Sequence, residues 1–351
     1  MTTVDLRSDT VTHPTAEMYQ AIGEAPLGDD VFSDDPTVNA LENEAAELLD
    51  KDAAIFVPSG TMANTIAIAI STCPGDEMVL LEDSHIYLYE AGGSARLWGV
   101  HPRPLVGRDC CLDPPQVEAA VRADDVHHPR TSLVCLENTH NMQGGRVIPF
   151  ARIDAVSEVC RRLGLKLHLD GARIFHAAVK LGVPASRVAA GADTVSFCLS
   201  KGLSCPAGSL LCGSAEAIEG ARRVRKVLGG GMRQAGILAA CGRVALDSGI
   251  DRLADDHRLT EKLADGLRHL DGAHLSPDPP ESNILFIRFE GVDIEGYQQL
   301  QDRLETEGVR TFATGPRGLR MVVHRQVDGA AIDRTLEAFS RLDYRSLSES
   351  L

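Results

Sequence analysis

The sequence predicts an α/β protein, with a large domain on a mostly parallel central sheet and a small α/β domain at its C-terminal end. Three observations lead there. Short runs rich in β-formers alternate with helical stretches along most of the chain, the order that builds parallel sheets. Two successive runs, LKLHLD ending at Asp170 and TVSFCLS leading to Lys201, finish on charge and break at a glycine. In open α/β sheets, ligands bind at the carboxyl ends of the strands. Beyond residue 250 the alternation starts afresh on a shorter scale, so the domains are expected at 1–250, with an N-terminal arm, and at 251–351, including a linker helix.

Composition narrows the classes. The 351 residues, 44% hydrophobic and 24% charged, suit a globular protein long enough for two domains. A formal net charge of −15 argues against a nucleic-acid partner, which needs a basic face. The longest apolar candidate, TIAIAI at 65–70, is far short of a membrane span, and the N-terminal end lacks the basic and apolar regions of a signal peptide. Nine cysteines, an odd count without C-x-x-C spacing, read as reduced thiols in a cytoplasmic protein, with neither a disulfide frame nor a metal site.

Taken in order, the first thirty-odd residues are rich in turn formers and read as an irregular segment that wraps a site or meets a partner chain. A helix at 36–49 carries Leu41, Ala45, Leu48 and Leu49 on one face, and 53–57 is a strand. SGTMAN at 59–64 opens the next helix. Its small polar residues leave backbone N–H groups free for an anion, so Gly60 and Thr61 form a candidate phosphate cradle; the same run also serves as a plain Ser/Thr cap.

A strand at 77–81 brings His85 to the ligand-facing edge of the sheet. Strands at 100–106 and 132–137 flank a helix at 114–121 and a polar loop holding His127 and His128. Helices at 150–163 and 174–181 bracket the Asp170 strand, and 209–212 is a further strand. The basic helix 215–227 carries Arg222, Arg223, Arg225 and Lys226 and runs into three glycines and Arg233. It reads as a solvated face, or as a device presenting Arg233 to a phosphate on a neighbouring chain. Helices at 234–247 and 252–270 lead to the small domain, with strands at 284–289, 309–312 and 319–323, a helix to 307 and a last helix at 330–342. Arg320, His324 and Arg325 lie on or beside its last strand, where an arginine fork can reach a carboxylate.

Lys201 stands at the tip of an apolar strand beside Gly202, a place where a lysine loses solvation and becomes an amine nucleophile. A solvated lysine would fit the same spot. Asp170 one strand away favours the first reading, since a lysine for a Schiff base and an aspartate for a pyridinium nitrogen are what a pyridoxal phosphate enzyme needs.

The segments LRSDTVT (6–12), SGTMAN (59–64), LENTH (136–140), LDGAR (169–173) and CLSKG (198–202), in that order, resemble those of the low-specificity L-threonine aldolases. These belong to the β-eliminating lyase group of pyridoxal phosphate enzymes, with the aspartate-aminotransferase-like fold (fold type I). The resemblance implies that Lys201 carries the cofactor, Asp170 meets its ring nitrogen and His85 stacks on the ring. Gly60, Thr61 and Ser200 would hold the phosphate, with Lys226 and Arg233 arriving from a neighbouring subunit. Arg173 would lie beside the cofactor and, with Ser8 and Arg320, on the substrate carboxylate. His127 matches the family's second active-site histidine, although His128 and Pro129 stand where a bulky apolar residue is usual, which leaves His127 or His128 open. The implied reaction is retro-aldol cleavage of L-threonine, L-allo-threonine and related β-hydroxy-α-amino acids to glycine and an aldehyde, in a homodimer or homotetramer. β-Elimination, racemisation and transamination use the same cofactor, and a catalytically silent binding subunit is a third class of reading.

Overall fold

A computed structural model describes residues 3–342. The chain starts with β1 (Val4–Asp5) and α1 (Ala16–Glu24). This helix departs from the irregular segment expected there. Thr15 Oγ1 accepts the Met18 N–H as an N-cap and Met18 is buried in the main core, so capping and packing prevail over the neighbouring turn formers. α2 (Pro36–Leu48) is capped by Asp35 with a proline at its first position.

The alternation then runs β2 (Ala53–Val57), α3 (Gly60–Ser71), β3 (Glu77–Leu81), α4 (His85–Leu88), α5 (Gly93–Trp98), β4 (His101–Leu105), α6 (Pro114–Ala120) and β5 (Thr131–Glu137). It continues through α7 (Phe150–Leu163), β6 (Lys166–Asp170), α8 (Ile174–Leu181), α9 (Ala185–Ala189), β7 (Thr194–Cys198), β8 (Ser209–Gly213), α10 (Ala215–Val227) and α11 (Gly236–Val244). The last third holds α12 (Leu253–Leu267), β9 (Ala273–Ser276), β10 (Ile284–Phe289), α13 (Ile294–Thr306), β11 (Val309–Arg310), β12 (Phe312–Ala313), β13 (Leu319–Val322) and α14 (Gly329–Arg341).

Seven strands form the central sheet in the order β2-β8-β7-β6-β5-β3-β4, with β8 antiparallel to both neighbours and the other pairs parallel. Every residue of β3, β7 and β8 is buried, which is why these strands are mostly apolar and do not alternate with polar positions facing solvent. The register sets Glu137 of β5 opposite Asp170 of β6, and Asp170 opposite Ser196 of β7. Three neighbouring strands therefore present their carboxyl ends together.

The C-terminal part has its own antiparallel sheet, β12-β13-β10-β9, and its own core around Leu263, Ile287, Leu300 and Phe339. The N-terminal arm does not stay with the large sheet. β1 pairs with β11, Val4 opposite Val309, and Val4 and Leu6 pack in the C-terminal core, because their apolar side chains find a ready sheet edge there. No helix among the described residues is long and apolar enough to cross a membrane. All nine cysteines are unpaired and eight are buried.

Candidate active site

Asp170 ends β6 almost wholly buried. Its Oδ1 accepts the Ala172 N–H at 3.0 Å and its Oδ2 accepts from Asn64 Nδ2 at 2.9 Å. Asn64 lies on α3, one turn (~6 Å) beyond Gly60. The same Nδ2 donates to Glu90 Oε1 at 2.8 Å, and Glu90 Oε1 lies 3.0 Å from His85 Nδ1. His85 is anchored at the start of α4 by its N–H, which donates to Glu137 Oε2 at 2.7 Å. Burial opposes charge on His85, but the Glu90 hydrogen bond and the Asp170 and Glu137 carboxylates prevail and raise its pKa. Burial also raises the Glu90 carboxyl, with Asp170 adding to the rise. Ligand atoms of His85, Glu90 and Asp170 lie within 4.8 Å of one another, a spacing that also suits a metal ion. Hydrogen bonds to Asn64 and between His85 and Glu90 already engage these atoms.

At the start of α3, Ser59 Oγ accepts the Met62 N–H, while the Gly60 and Thr61 N–H groups have no acceptor among the described residues. A Cβ on Gly60 would stand 2.7 Å from Cys198 Sγ, so only glycine lets this helix start press against the end of β7. That contact sets the helix start against the end of β7, from which the chain runs on into half-buried Ser200 and Lys201. The Lys201 backbone is fixed, its carbonyl accepting from Thr12 Oγ1 at 2.9 Å and from the Ser204 N–H at 2.8 Å. Its ammonium has no hydrogen-bond or ion-pair partner among the described residues. A Cβ on Gly202 would lie 2.8 Å from His176 Nε2, so the glycine after the lysine serves close packing. Free N–H groups at one end, a buried carboxylate one turn away and an unpartnered lysine suit pyridoxal phosphate, which has an anion, a basic ring nitrogen and an aldehyde.

The carboxylate side is less symmetrical than expected. Arg173 is buried, and its Nε and one terminal nitrogen grip the two oxygens of Asp9 at 2.7 and 2.6 Å. Burial works against the charge on Asp9, but Arg173 and then Lys201 outweigh it and hold the carboxyl far below its usual range. Most of the Arg173 fork is thus committed within the chain. Arg320 is also buried. Its terminal nitrogens donate to the Arg7 carbonyl at 3.0 Å and to Asn141 Oδ1 at 2.7 Å, while its Nε has no partner. Burial, then the nearby charge of Arg173, lower its pKa to about 10. An unpartnered buried guanidinium N–H is expensive unless an acceptor arrives, so Arg320 is the better placed of the two arginines to receive one. Ser8 caps the short turn at 9–11 by accepting the Thr10 N–H.

Four candidates lie elsewhere. His127 is 83% exposed and bonds to Asp125 in the loop before β5, at the amino end of that strand. The seven residues of β5 put roughly 20 Å between that loop and Glu137. His128 shares the loop and is also exposed. Lys226 is exposed on α10, and Arg233, 54% exposed, pairs with Asp29. The single chain does not bring His127, His128, Lys226 or Arg233 to Lys201. The basic helix is not simply solvated, since Arg225 makes a buried pair with Asp30 and Arg222 pairs with Glu42. Asn64, Glu90 and Asp9 escaped the sequence reading as site residues, although Asn64 and Asp9 lie inside the quoted segments.

The pattern of the Beta-eliminating lyase family matches residues 5–290. The chain is 44% identical over 344 residues to a probable low-specificity L-threonine aldolase 2 of Arabidopsis thaliana, covering 97% of each. It is 45% identical over 286 residues to the low specificity L-threonine aldolase of Escherichia coli, covering 81% of this chain and 84% of the relative. A threonine aldolase of Leishmania major superposes with a TM-score of 0.82 at 21% identity, covering 96% of this chain and 99% of that one, a likeness of fold. The fold is therefore the aspartate-aminotransferase-like one expected, and the chain belongs to the beta-eliminating lyase family, among its low-specificity L-threonine aldolases.

Proposed function

We propose that the protein is a pyridoxal-phosphate-dependent aldehyde-lyase. It cleaves the Cα–Cβ bond of L-threonine, L-allo-threonine and related β-hydroxy-α-amino acids to glycine and an aldehyde. The observation that carries this reading is an unpartnered Lys201 and a buried Asp170 at the carboxyl ends of neighbouring strands of the central sheet, with buried Arg320 of β13, its Nε unused, near the charge of Arg173.

Bound there, pyridoxal phosphate supplies an electron sink for the charge left at Cα when the bond breaks. Lys201 carries the cofactor. Asp170 keeps a ring nitrogen protonated by opposite charge, and Asn64 and Ala172 keep its two oxygens in place. The Gly60 and Thr61 N–H groups and the Ser200 hydroxyl take the phosphate. Arg320, helped by Ser8 and the remaining N–H groups of Arg173, holds the substrate carboxylate, so that one bond at Cα is presented for cleavage. His85, with Nδ1 bound to Glu90, offers Nε2 to the β-hydroxyl proton.

His127 or His128, Lys226 and Arg233 act in this scheme only as donations from neighbouring copies. Their exposure on one chain suits a homodimer or homotetramer. The absence of membrane-crossing helices among the described residues and the unpaired cysteines favour the cytoplasm.

The test is to quantify glycine, acetaldehyde and 2-oxobutanoate from L-threonine and L-allo-threonine. Equal glycine and acetaldehyde supports cleavage, and the two rates set the stereochemical preference. Oxobutanoate without glycine, a keto acid formed by transamination, or the D-enantiomer would replace this reading with the corresponding pyridoxal phosphate reaction.

A further inference from the structure

Asn64 appears above only as a contact of Asp170 and Glu90, yet all four hydrogen-bonding positions of its side-chain amide are filled. Nδ2 donates to Asp170 Oδ2 and to Glu90 Oε1; Oδ1 accepts from Ser196 Oγ at 2.8 Å and lies 3.1 Å from His168 Nε2. The partners fix the amide's direction. The reverse orientation would set a carbonyl oxygen against two carboxylates.

His168 is fully buried, and that burial lowers its pKa to about 4, so it is neutral near pH 7. Its Nδ1 lies 2.9 Å from Thr194 Oγ1. With the hydroxyl donating to Nδ1, the ring hydrogen sits on Nε2 and points at Asn64 Oδ1. Donors thus run in one direction, from Thr194 through His168 and Asn64 to the two acids, and Glu90 passes the arrangement on to His85 Nδ1. Strands β6 and β7 supply His168, Thr194 and Ser196, so the amide is held by the sheet itself.

We propose that Asn64 is a positioning residue of the cleavage reaction, one amide that fixes Asp170 and the Glu90–His85 pair at a set spacing. The proposal rests on the reading that Asp170 and His85 flank the cofactor. Two buried carboxylates this close repel each other, and the two N–H groups of Asn64 offset part of that repulsion by donating one to each. Without those donors one acid takes up a proton. If that acid is Glu90, His85 loses the partner that holds its ring and its proton.

The test compares wild type with Asn64→Asp, a near-isostere that cannot donate to both acids, and with Ser196→Ala, which deletes only one hydroxyl from behind the amide. Two readouts are used: NMR titration of the His85 ring in the apoprotein, assigned with His85→Gln, and the affinity of the apoprotein for pyridoxal phosphate. Asn64→Asp is expected to shift the pH at which His85 titrates and to weaken cofactor binding at least about ten-fold, because it takes donors from two acids and adds a third acid beside them. Ser196→Ala is expected to move both readouts the same way by less. It also decides the question if Asn64→Asp fails to fold.

An unchanged His85 titration with unchanged cofactor affinity would overturn the proposal, as would a drop in melting temperature that moves neither. A wild-type protein that binds no pyridoxal phosphate sinks the functional reading itself. A wild type that binds it and cleaves threonine, beside an indifferent Asn64→Asp, sinks only the role of Asn64.

Discussion

Arg320→Lys keeps a positive charge and removes a planar fork. In the native site the two terminal nitrogens of Arg320 are tied to the Arg7 carbonyl and Asn141, and Nε is the buried donor left over. Arg173 cannot simply take over, because Asp9 occupies its Nε and one terminal nitrogen. A lysine gathers its three donors on one nitrogen and cannot span the separate positions that Nε and the two terminal nitrogens of the guanidinium occupy. The substitution therefore removes at least one charge-assisted hydrogen bond to the substrate, ~1.5–3 kcal/mol, or about 10- to 150-fold in kcat/KM. The carboxylate is held equally before and during bond cleavage, so the loss falls mainly on KM. Steady-state glycine formation from L-threonine at saturating pyridoxal phosphate measures both constants, and thermal melting checks that the variant is folded. An unchanged KM, or a loss confined to kcat, would refute the assignment. Displacement of Asp9 from Arg173 would then be the route by which the carboxylate is held.

Asp9→Asn leaves the buried Arg173 without its charged partner and is expected to destabilise the fold by about 3–5 kcal/mol. An unchanged melting temperature would show that this pair has no structural role. Stability should also fall with acidity. His168 is depressed from 6.5 to about 4, so its share of stability is complete above pH 6.5 and is lost as pH falls toward 4, by ~3 kcal/mol. Asp9, also depressed, contributes above the ordinary aspartate value and loses that contribution at still lower pH. Melting temperatures from pH 7.5 to 4.5 test this, and a flat profile contradicts the buried neutral histidine. Finally, Lys201→Ala mixed with a Lys226→Ala, Arg233→Ala double variant should regain activity if each site draws the latter residues from a neighbouring copy. No regain on subunit exchange would refute their donation from a neighbouring copy.

Much of this protein was legible locally. β2, β3, α7, α8 and α10 lie where β-formers, helical periodicity and caps place them, Asp170 closes β6, and Lys201 follows three residues after the end of β7. Such signals lie within a few residues of each other. Elements too short for a helical period to register, such as four-residue α4 and five-residue α9, left no comparable mark. Family motifs marked most of the candidate site but not its internal partners. The bonds from Asn64 to Asp170 and to His168 join residues 106 and 104 apart in sequence, and Arg173 meets Asp9 across 164. The position of His127 at the far end of β5 likewise depends on how the sheet is assembled. A buried polar group must have a partner, but only strand order and register decide which one, and so the sequence determined the chemical groups while the tertiary structure decided which of them face each other.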